Sequence, residues 1–204
     1  MRTGRMSGLC LSFLTVLLPC VFIINCAMTP EDYIRHYEKS RSKYAGTVKR
    51  NGVIARVVYV PCEYYAARDM MADKQLTLKD ALKRYDTSLY FVLLLNAEKG
   101  SRESILLQRG GMENYKNNVL KNTFERDRDI FLLKDTDTVK VEQYHFDRSW
   151  GIGNGDSFTM VFSRKQARNP LKKYHLILRN FVPELGTIDI PLASLIKNKN
   201  RLKD

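Results

Sequence analysis

The dipeptide Asn51-Gly52, set between two β-like runs, most constrains the fold of this chain. Asn-Gly is the preferred pair for a two-residue type I′ turn, in which both central residues have positive φ. The run 53–60, rich in β-branched residues, follows it directly. The sequence therefore predicts an antiparallel hairpin over 47–60. This hairpin ends at Pro61, which has no N–H to donate to a strand ladder.

Short helices are predicted on both sides of this hairpin. Residues 29–32, Thr-Pro-Glu-Asp, supply the N-cap hydroxyl, the early proline and the first-turn acids of a helix start. Thr77, with Asp80 three positions later, resembles a capping box. Residues 63–72 follow Pro61 as a short helix. Residues 112–124 have the apolar spacing of an amphipathic helix.

The second half of the chain has mainly strand-like patterns. Leu89–Leu95 is apolar at every position, which predicts a central strand with both faces covered. Further strands are predicted over 138–148, 157–163, 173–181 and 187–192. Two of these alternate, and their predicted core-facing residues are Phe158, Met160, Phe162, Tyr174, Leu176 and Leu178. The pattern predicts an α+β fold in which short N-terminal helices pack on one face of a mostly antiparallel β-sheet.

Residues 1–25 are predicted to be a lipoprotein signal peptide. Arg2 and Arg5 precede the apolar run Leu9–Ile24. A short positive region followed by an apolar segment is what the secretion machinery recognises, and such a segment is set apart from the fold. The remaining length fits one domain with its own hydrophobic core.

Cys26 is the predicted lipidation site. Cleavage before it would leave residues 26–204 as a single α+β envelope domain, lipid-anchored in the outer membrane, with a basic tail at 196–204 that is expected to fray. Asn25 departs from the small residue that is usual before a lipidated cysteine. Two alternatives are open. The segment 9–28, at about 20 residues, is long enough to stay uncut as a transmembrane anchor, or an ordinary signal peptidase cleaves in the same region.

Cys62 would then be the one thiol of the mature domain. Cys10 and Cys20 leave with the signal and Cys26 carries the lipid, so no internal disulfide can form. We expect Cys62, just after Pro61 at a helix start, to be a buried or half-buried thiol. A nucleophilic cysteine needs a neighbouring base or helix terminus that lowers its pKa, and no motif here indicates one.

The chain is strongly basic. Its formal charge is +12, and removal of Arg2 and Arg5 with the signal leaves +10. From Arg164 onward, ten Lys or Arg residues face three acids, a local balance of +7. Basic surfaces attract polyanions over a Debye length, about 8 Å at physiological salt. In the envelope, the available partners are anionic lipid headgroups or acidic glycans and not nucleic acid. An ordinary solvated surface is the other interpretation.

The glycine-rich stretch 150–156 resembles a phosphate-binding loop at first sight. A phosphate cradle needs a helix N-terminus directly after the glycines, but β-branched and aromatic residues follow here. The stretch is therefore interpreted as a hairpin connection with Asn154-Gly155 at its turn.

Neither the histidines nor the aspartate pairs have the spacing of a metal site. The residues concerned are His36, His145, His175, Asp127, Asp129, Asp135 and Asp137. A shared metal or acid–base role of His145 and His175 would need their two predicted strands to be adjacent. The aspartates lack the glycine and glutamate of an EF-hand, and solvated turns explain them. No catalytic, cofactor-binding or metal-ligating residue is assigned.

The order of these features resembles small uncharacterised lipoproteins of Bacteroidota. The likeness comprises Cys26 after the signal, the 30–33 helix start, the 51–52 turn, the segment 59–64 and the apolar central strand. The resemblance implies an envelope address and supplies no activity or site residues.

We therefore expect a membrane-anchored envelope lipoprotein with a non-catalytic binding or structural role. Its partners would be the membrane, through Cys26, and another envelope protein or an anionic glycan. One alternative is a surface polyanion- or glycan-binding module that uses Trp150 and the basic tail, whose residues are Lys197, Lys199, Arg201 and Lys203. Another is a hydrolase whose site has no motif, because acid and base carboxylates can be far apart in sequence.

Overall fold

Asn51 and Gly52 have φ angles of 49° and 75°, as the predicted type I′ turn requires. The strands that they join pair antiparallel, so that Arg50 faces Val53 and Ala45 faces Val58. This hairpin belongs to a computed structural model, which describes residues 28–98, 111–147, 155–167, 170–182 and 185–196.

Helices and strands alternate irregularly along these ranges. In chain order they are α1 (Pro30–Ser40), a 3-10 turn (Arg41–Tyr44), β1 (Ala45–Arg50), β2 (Val53–Val60), α2 (Cys62–Ala72), α3 (Leu78–Tyr85), β3 (Ser88–Ala97), α4 (Gly111–Phe124), a 3-10 turn (Asp127–Asp129), β4 (Ile130–Lys134), β5 (Asp137–Lys140), β6 (Gln143–Asp147), β7 (Asp156–Ser163), a 3-10 turn (Leu171–Lys173), β8 (His175–Leu178), β9 (Ile188–Pro191) and α5 (Leu192–Leu195). The described chain is a single α+β domain with short helices, which confirms the predicted fold class.

The strands form two antiparallel sheets where the sequence predicts one. The first sheet has the order β1-β2-β3-β7-β6, and the second has the order β5-β4-β8-β9. β3 lies at the centre of the first sheet, as predicted. Its residues Leu89, Phe91, Leu93 and Leu95 are fully buried, whereas Tyr90 and the other residues of the opposite face are half-buried. The prediction of two covered faces is therefore correct for one face and only partly correct for the other.

The inner faces of the two sheets contribute to one hydrophobic core. In the first sheet, Phe158 stacks on Phe146 with ring centroids 4.7 Å apart and meets Phe181 edge-on at 4.9 Å. In the second sheet, Leu176 pairs with both Leu132 and Ile190. The six residues predicted to face the core from the two alternating strands are all buried.

The helix starts form as the sequence predicts. The hydroxyl oxygens of Thr29 and Thr77 accept hydrogen bonds from the backbone N–H groups of Asp32 and Asp80, each at 3.2 Å. The helices α2 and α3 cover part of the outer face of the first sheet, because Tyr65 of α2 and Tyr85 of α3 both contact Tyr90, with ring centroids 4.8 and 6.3 Å away. Helix packing on one face of the sheet is thus confirmed.

Helix α4 forms where predicted, but its apolar stripe is only partly buried. Val119 is buried, whereas Leu120 is 57% exposed and Phe124 is 70% exposed. Periodicity predicted the helix correctly and overestimated how much of its apolar face is covered by the described part of the chain.

The predicted strand 138–148 is wrong as one element. It is two strands, β5 and β6, which belong to different sheets. The chain crosses between the sheets at Val141 and Glu142: the N–H of Val141 donates to Ile130 O in the second sheet, and the N–H of Glu142 donates to Val161 O in the first. The predicted strand 173–181 is likewise shortened to β8, because a 3-10 turn precedes it.

Candidate functional site

A solvent-open cleft of about 790 Å³ lies between α1, the turn after it, and α5. It is lined by His36, Ser40, Ser42, Lys43, Tyr44, Ala45, Lys172, Ala193, Ser194 and Ile196. These residues come from both ends of the described chain. They meet in one cleft because β1 lies beside the segment that carries α5. The cleft is therefore a product of the tertiary fold and not of one local motif.

Local structure explains how α1 and β1 supply one side of this cleft. His36 and Ser40 are four positions apart on α1, so they share a helix face. The 3-10 turn then carries Ser42 and Lys43 to the start of β1. Gly46 follows, and a Cβ at this position would lie 2.8 Å from Ile190 and 3.3 Å from Leu195. The absence of a side chain at Gly46 therefore lets β1 approach β9 and α5 closely.

The polar lining of the cleft is basic and hydroxylic. Lys43 and Lys172 are exposed, His36 is half-buried, and three serines complete the polar set. Among the described residues that line the cleft, there is no Asp or Glu. Two ammonium groups without a lining carboxylate produce a positive potential, which attracts anions.

The hydroxyl of Ser194 has a defined orientation. Its Oγ donates a hydrogen bond to the backbone oxygen of Pro191 at 2.7 Å. A serine hydroxyl has one proton to donate and two lone pairs that accept. Because the proton is already engaged, Ser194 offers the cleft an acceptor.

Tyr44 connects the cleft to a buried chain of tyrosines. Its ring contacts Tyr37 at 5.4 Å, and Tyr37 contacts Tyr64 at 4.8 Å. The Tyr37 hydroxyl donates to the backbone oxygen of Tyr59 at 3.0 Å. Burial raises the pKa of both Tyr37 and Tyr44 above the ordinary tyrosine value, so these hydroxyls stay neutral at physiological pH. Packed rings of this kind give the cleft a firm wall.

The structure separates two histidines that were considered together. His145 lies on β6 in the first sheet and His175 lies on β8 in the second, so their strands are not adjacent and the condition for a shared role is not met. His175 Nδ1 instead lies 2.6 Å from Asp189 Oδ1, with both side chains about half exposed. Within the described part of the chain, no group of three or more His, Cys, Asp or Glu residues could hold a metal ion.

The aspartate pairs have different roles. Asp135 has a φ of 52° in the turn between β4 and β5, so the turn interpretation is correct for Asp135, whereas Asp137 is the exposed first residue of β5. Asp129 is not a solvated turn residue: its side chain is 16% exposed and accepts from the buried Arg126 at 3.1 Å. The prediction is therefore wrong for Asp129, because a charged partner from the preceding helix end buries it.

Cys62 is buried at the start of α2, as predicted, with its Sγ 3.4 Å from the Glu63 carboxylate. The hairpin interpretation of 150–156 is supported, because β6 and β7 pair antiparallel and a strand follows the glycines. Trp150 and the turn itself lie outside the described residues. Cys26 and the basic tail from Lys197 also lie outside them.

A second cavity, of about 350 Å³, lies on the outer face of the second sheet. Its apolar floor includes Phe131 and Leu133, and Lys140 and Arg179 line it as well. The Arg179 guanidinium lies over the Phe131 ring, 4.7 Å from its centroid. Because this cation–π contact already engages the Arg179 guanidinium, we do not take the second cavity as the candidate anion site.

No protein-family model matches the chain, and no curated protein matches it. A solved structure of a protein of unknown function from Burkholderia pseudomallei K96243 is similar at 14% identity, covering 83% of this chain and 94% of that one, with a TM-score of 0.37. At this identity and TM-score the likeness bears on neither the site nor the function. None of the described helices is long and apolar enough to cross a bilayer.

Sequence reasoning missed the cleft. His36 was noted only as a histidine without metal-ligand spacing, and Lys172 only as part of the basic C-terminal third. Lys43 and Ser194 carried no signal at all. Residues so far apart meet only when the position of α5 against β1 is known, which no local pattern encodes.

Proposed function

We propose that the protein is a membrane-anchored envelope lipoprotein with a non-catalytic binding role, and that the basic cleft is its binding site for an anionic envelope ligand. The observation that supports this proposal is the cleft lining, which contains Lys43, Lys172, His36 and three serines but no carboxylate among the described lining residues. A concave site with a few convergent polar groups is the usual form of a ligand site.

The lysines of the cleft are unpaired, as are other exposed lysines such as Lys121 and Lys140 within the described residues, but they lie in one concave site. Some exposed cations do have partners: Lys74 lies 3.2 Å from Glu31, and Arg84 lies 2.8 Å from Asp69. Within the described ranges, neither Lys43 nor Lys172 is in an ion pair. An anion entering the cleft therefore gains two cations without displacing a protein carboxylate from them, which favours binding over a merely solvated surface.

A polyanion, such as an acidic glycan, is the second candidate ligand. Ile196 lines the cleft and is followed in the sequence by the basic tail, whose residues are Lys197, Lys199, Arg201 and Lys203. In the sequence, further basic residues therefore lie within a few positions of the cleft lining. A longer anion would use both parts, whereas a compact anion would need only the cleft.

The proposed anchor would place the cleft near the membrane. Pro30, where α1 begins, is four positions after Cys26, which an extended chain spans in at most about 14 Å. From Pro30 to His36 the helix rises about 9 Å. With a lipid on Cys26, the cleft would thus lie within about 25 Å of the bilayer surface.

The binding proposal is tested with dextran sulfate as an anionic probe of the full-length protein. We expect affinity to fall steeply as salt rises, and we expect Lys43→Glu/Lys172→Glu to weaken binding by at least about tenfold, because two favourable charge contacts become repulsive. Lys121→Glu/Lys140→Glu is the matched control, since both lysines are exposed outside the cleft. Equal losses in the two double variants would contradict a specific cleft.

The anchoring proposal is tested by the intact mass of the protein extracted from membranes. A diacylglycerol-modified N-terminus starting at Cys26 is expected, and Cys26→Ala should abolish both the modification and the membrane fraction. An unmodified full-length N-terminus in the native protein would refute lipidation and would favour an uncut transmembrane segment.

A further inference from the structure

We infer that the cleft takes a phosphorylated sugar, in which a phosphate group contacts the lysines and a sugar hydroxyl donates to Ser194. This inference rests on the proposed binding function and names the ligand class of the same site. It also specifies how the ligand lies in the cleft, which the charge of the lining alone does not.

The acceptor of Ser194 is the observation that selects against a fully ionised inorganic anion such as sulfate. Its Oγ already donates its proton to Pro191 O at 2.7 Å, so only lone pairs remain for a ligand. Fully ionised sulfate offers no proton to such a group, and its oxygens would be repelled by the Ser194 lone pairs. A ligand that satisfies the whole cleft must therefore combine an anion with a hydroxyl donor.

The number of cations indicates a phosphate group. Lys43 and Lys172 bring two positive charges from opposite ends of the described chain, and each ammonium has three donors. A phosphate monoester carries about −1.5 to −2 charge at neutral pH and three acceptor oxygens. A single carboxylate would neutralise only one of the two lysines. His36 and the hydroxyls of Ser40 and Ser42 are further polar groups of the lining.

The remaining lining is apolar and suits the carbon skeleton of a sugar. Tyr44, Ala45, Ala193 and Ile196 complete the cleft. A sugar ring has apolar C–H faces as well as hydroxyls, so it can contact an apolar wall and the polar groups at once. The cleft volume of about 790 Å³ lies within the common range for small-ligand sites, about 300–1,000 Å³.

The test is calorimetric titration of the full-length protein with glucose 6-phosphate, inorganic sulfate and glucose. We expect glucose 6-phosphate to bind at least about threefold more tightly than sulfate, and glucose not to bind. Ser194→Ala should weaken glucose 6-phosphate by about three- to tenfold, the effect of one hydrogen bond, and should change sulfate affinity less than about twofold. Lys172→Glu should weaken both anions by at least about tenfold.

Ser157→Ala, a serine on β7 outside the cleft, is the matched control and should change neither affinity. Equal affinities for the two anions with no effect of Ser194→Ala would overturn the sugar assignment. So would the failure of both to bind while dextran sulfate still binds through Lys43 and Lys172, and in either case the proposed function would stand. Anion binding that does not weaken when Lys43 and Lys172 are replaced would refute the proposed function instead.

The phosphorylated sugar that binds in the cleft could be a free saccharide or part of a lipid headgroup. Vesicles that contain phosphatidylinositol 4-phosphate, a phosphomonoester on a polyol ring, distinguish the two sources. Vesicle binding that is sensitive to Ser194→Ala and is competed by glucose 6-phosphate assigns the ligand to a lipid. Sensitivity confined to soluble glucose 6-phosphate assigns it to a free sugar.

Discussion

Replacement of Arg126 by methionine is expected to destabilise the fold strongly. The Arg126 side chain is 2% exposed, although it carries a full charge. Its guanidinium donates to Asn122 Oδ1 at 2.6 Å, to Asn180 O at 2.6 Å and to Asp129 Oδ2 at 3.1 Å. It also lies 5.0 Å from the centre of the Phe181 ring. One side chain thus links the end of α4 to the turn before β4 and to the segment after β8.

The magnitude follows from the groups that the substitution leaves behind. Methionine keeps most of the apolar stem and its packing, so the loss comes from the acceptors that remain without the cation, of which Asn122 is buried and Asp129 is half-buried. Removal of one member of a buried charge network typically costs about 3–5 kcal/mol. We expect a loss of about this size in the free energy of unfolding of Arg126→Met. Arg126→Lys should lose less, because it keeps the charge while losing the planar fork.

Urea denaturation followed by circular dichroism measures this loss. With an m-value of about 2 kcal/mol/M, the midpoint should fall by about 1.5–2.5 M. Arg128→Met, an exposed neighbour, is the control and should change stability by no more than about 0.5 kcal/mol. A loss below about 1 kcal/mol for Arg126→Met, with an unchanged m-value, would refute the role given to this arginine.

Three further outcomes are expected. Phe158→Ala, at a fully buried site, should cost about 3–5 kcal/mol in urea denaturation; a cost under 1 kcal/mol would contradict the shared core. Gly46→Val should displace Ile190 and α5, lowering both stability and dextran sulfate affinity, and an unchanged affinity would show that the cleft does not depend on this contact. Burial raises the pKa of Tyr59 from 10.0 to about 12, so its contribution to stability is complete below pH 10 and falls as the pH rises from about 10 to 12, by about 1.4 kcal/mol per pH unit. Absorbance at 295 nm across an alkaline titration measures tyrosine ionisation, and Tyr59→Phe should remove the part of the absorbance change that Tyr59 contributes. Ionisation of Tyr59 near pH 10 without loss of structure would contradict its burial.

The parts of the fold that short-range chemistry determines could be predicted from the sequence. The Asn51-Gly52 turn and the caps at Thr29 and Thr77 depend on residues within four positions of one another. The alternation in the two predicted strands also showed which side chains face the core, because the period of a strand is local. These features hold in the structure, except that Ile177, which lies between two of the predicted core residues, is buried as well.

The division into two sheets could not be predicted in the same way. Residues 138–148 look like one strand because each half has a β-like pattern, and nothing local distinguishes a continuous strand from two that pair with different partners. The crossing at Val141 and Glu142 is determined by their hydrogen bonds to Ile130 and Val161. Such pairings depend on the relative position of whole strands.

The candidate site was the least predictable part. In the sequence, Lys43 and Lys172 are ordinary basic residues. They become candidate ligand-binding residues only because the fold places both in one cleft, without a carboxylate among its described lining. The charge of +12 left two interpretations open, an anionic partner or an ordinary solvated surface, and our proposal takes the first. The net charge could not indicate where on the surface such a partner would bind, because it does not depend on where the charged residues lie.

The most direct test of the central claim is a map of backbone amide chemical shifts in the full-length protein as glucose 6-phosphate is added. We expect the shifts to concentrate at the cleft, over 42–45, at Lys172 and over 193–196, and we expect Lys43→Glu/Lys172→Glu to remove them. Shifts that instead concentrate around Phe131 and Arg179 on the second sheet, or that survive the double charge reversal, would contradict the claim that this cleft is the binding site.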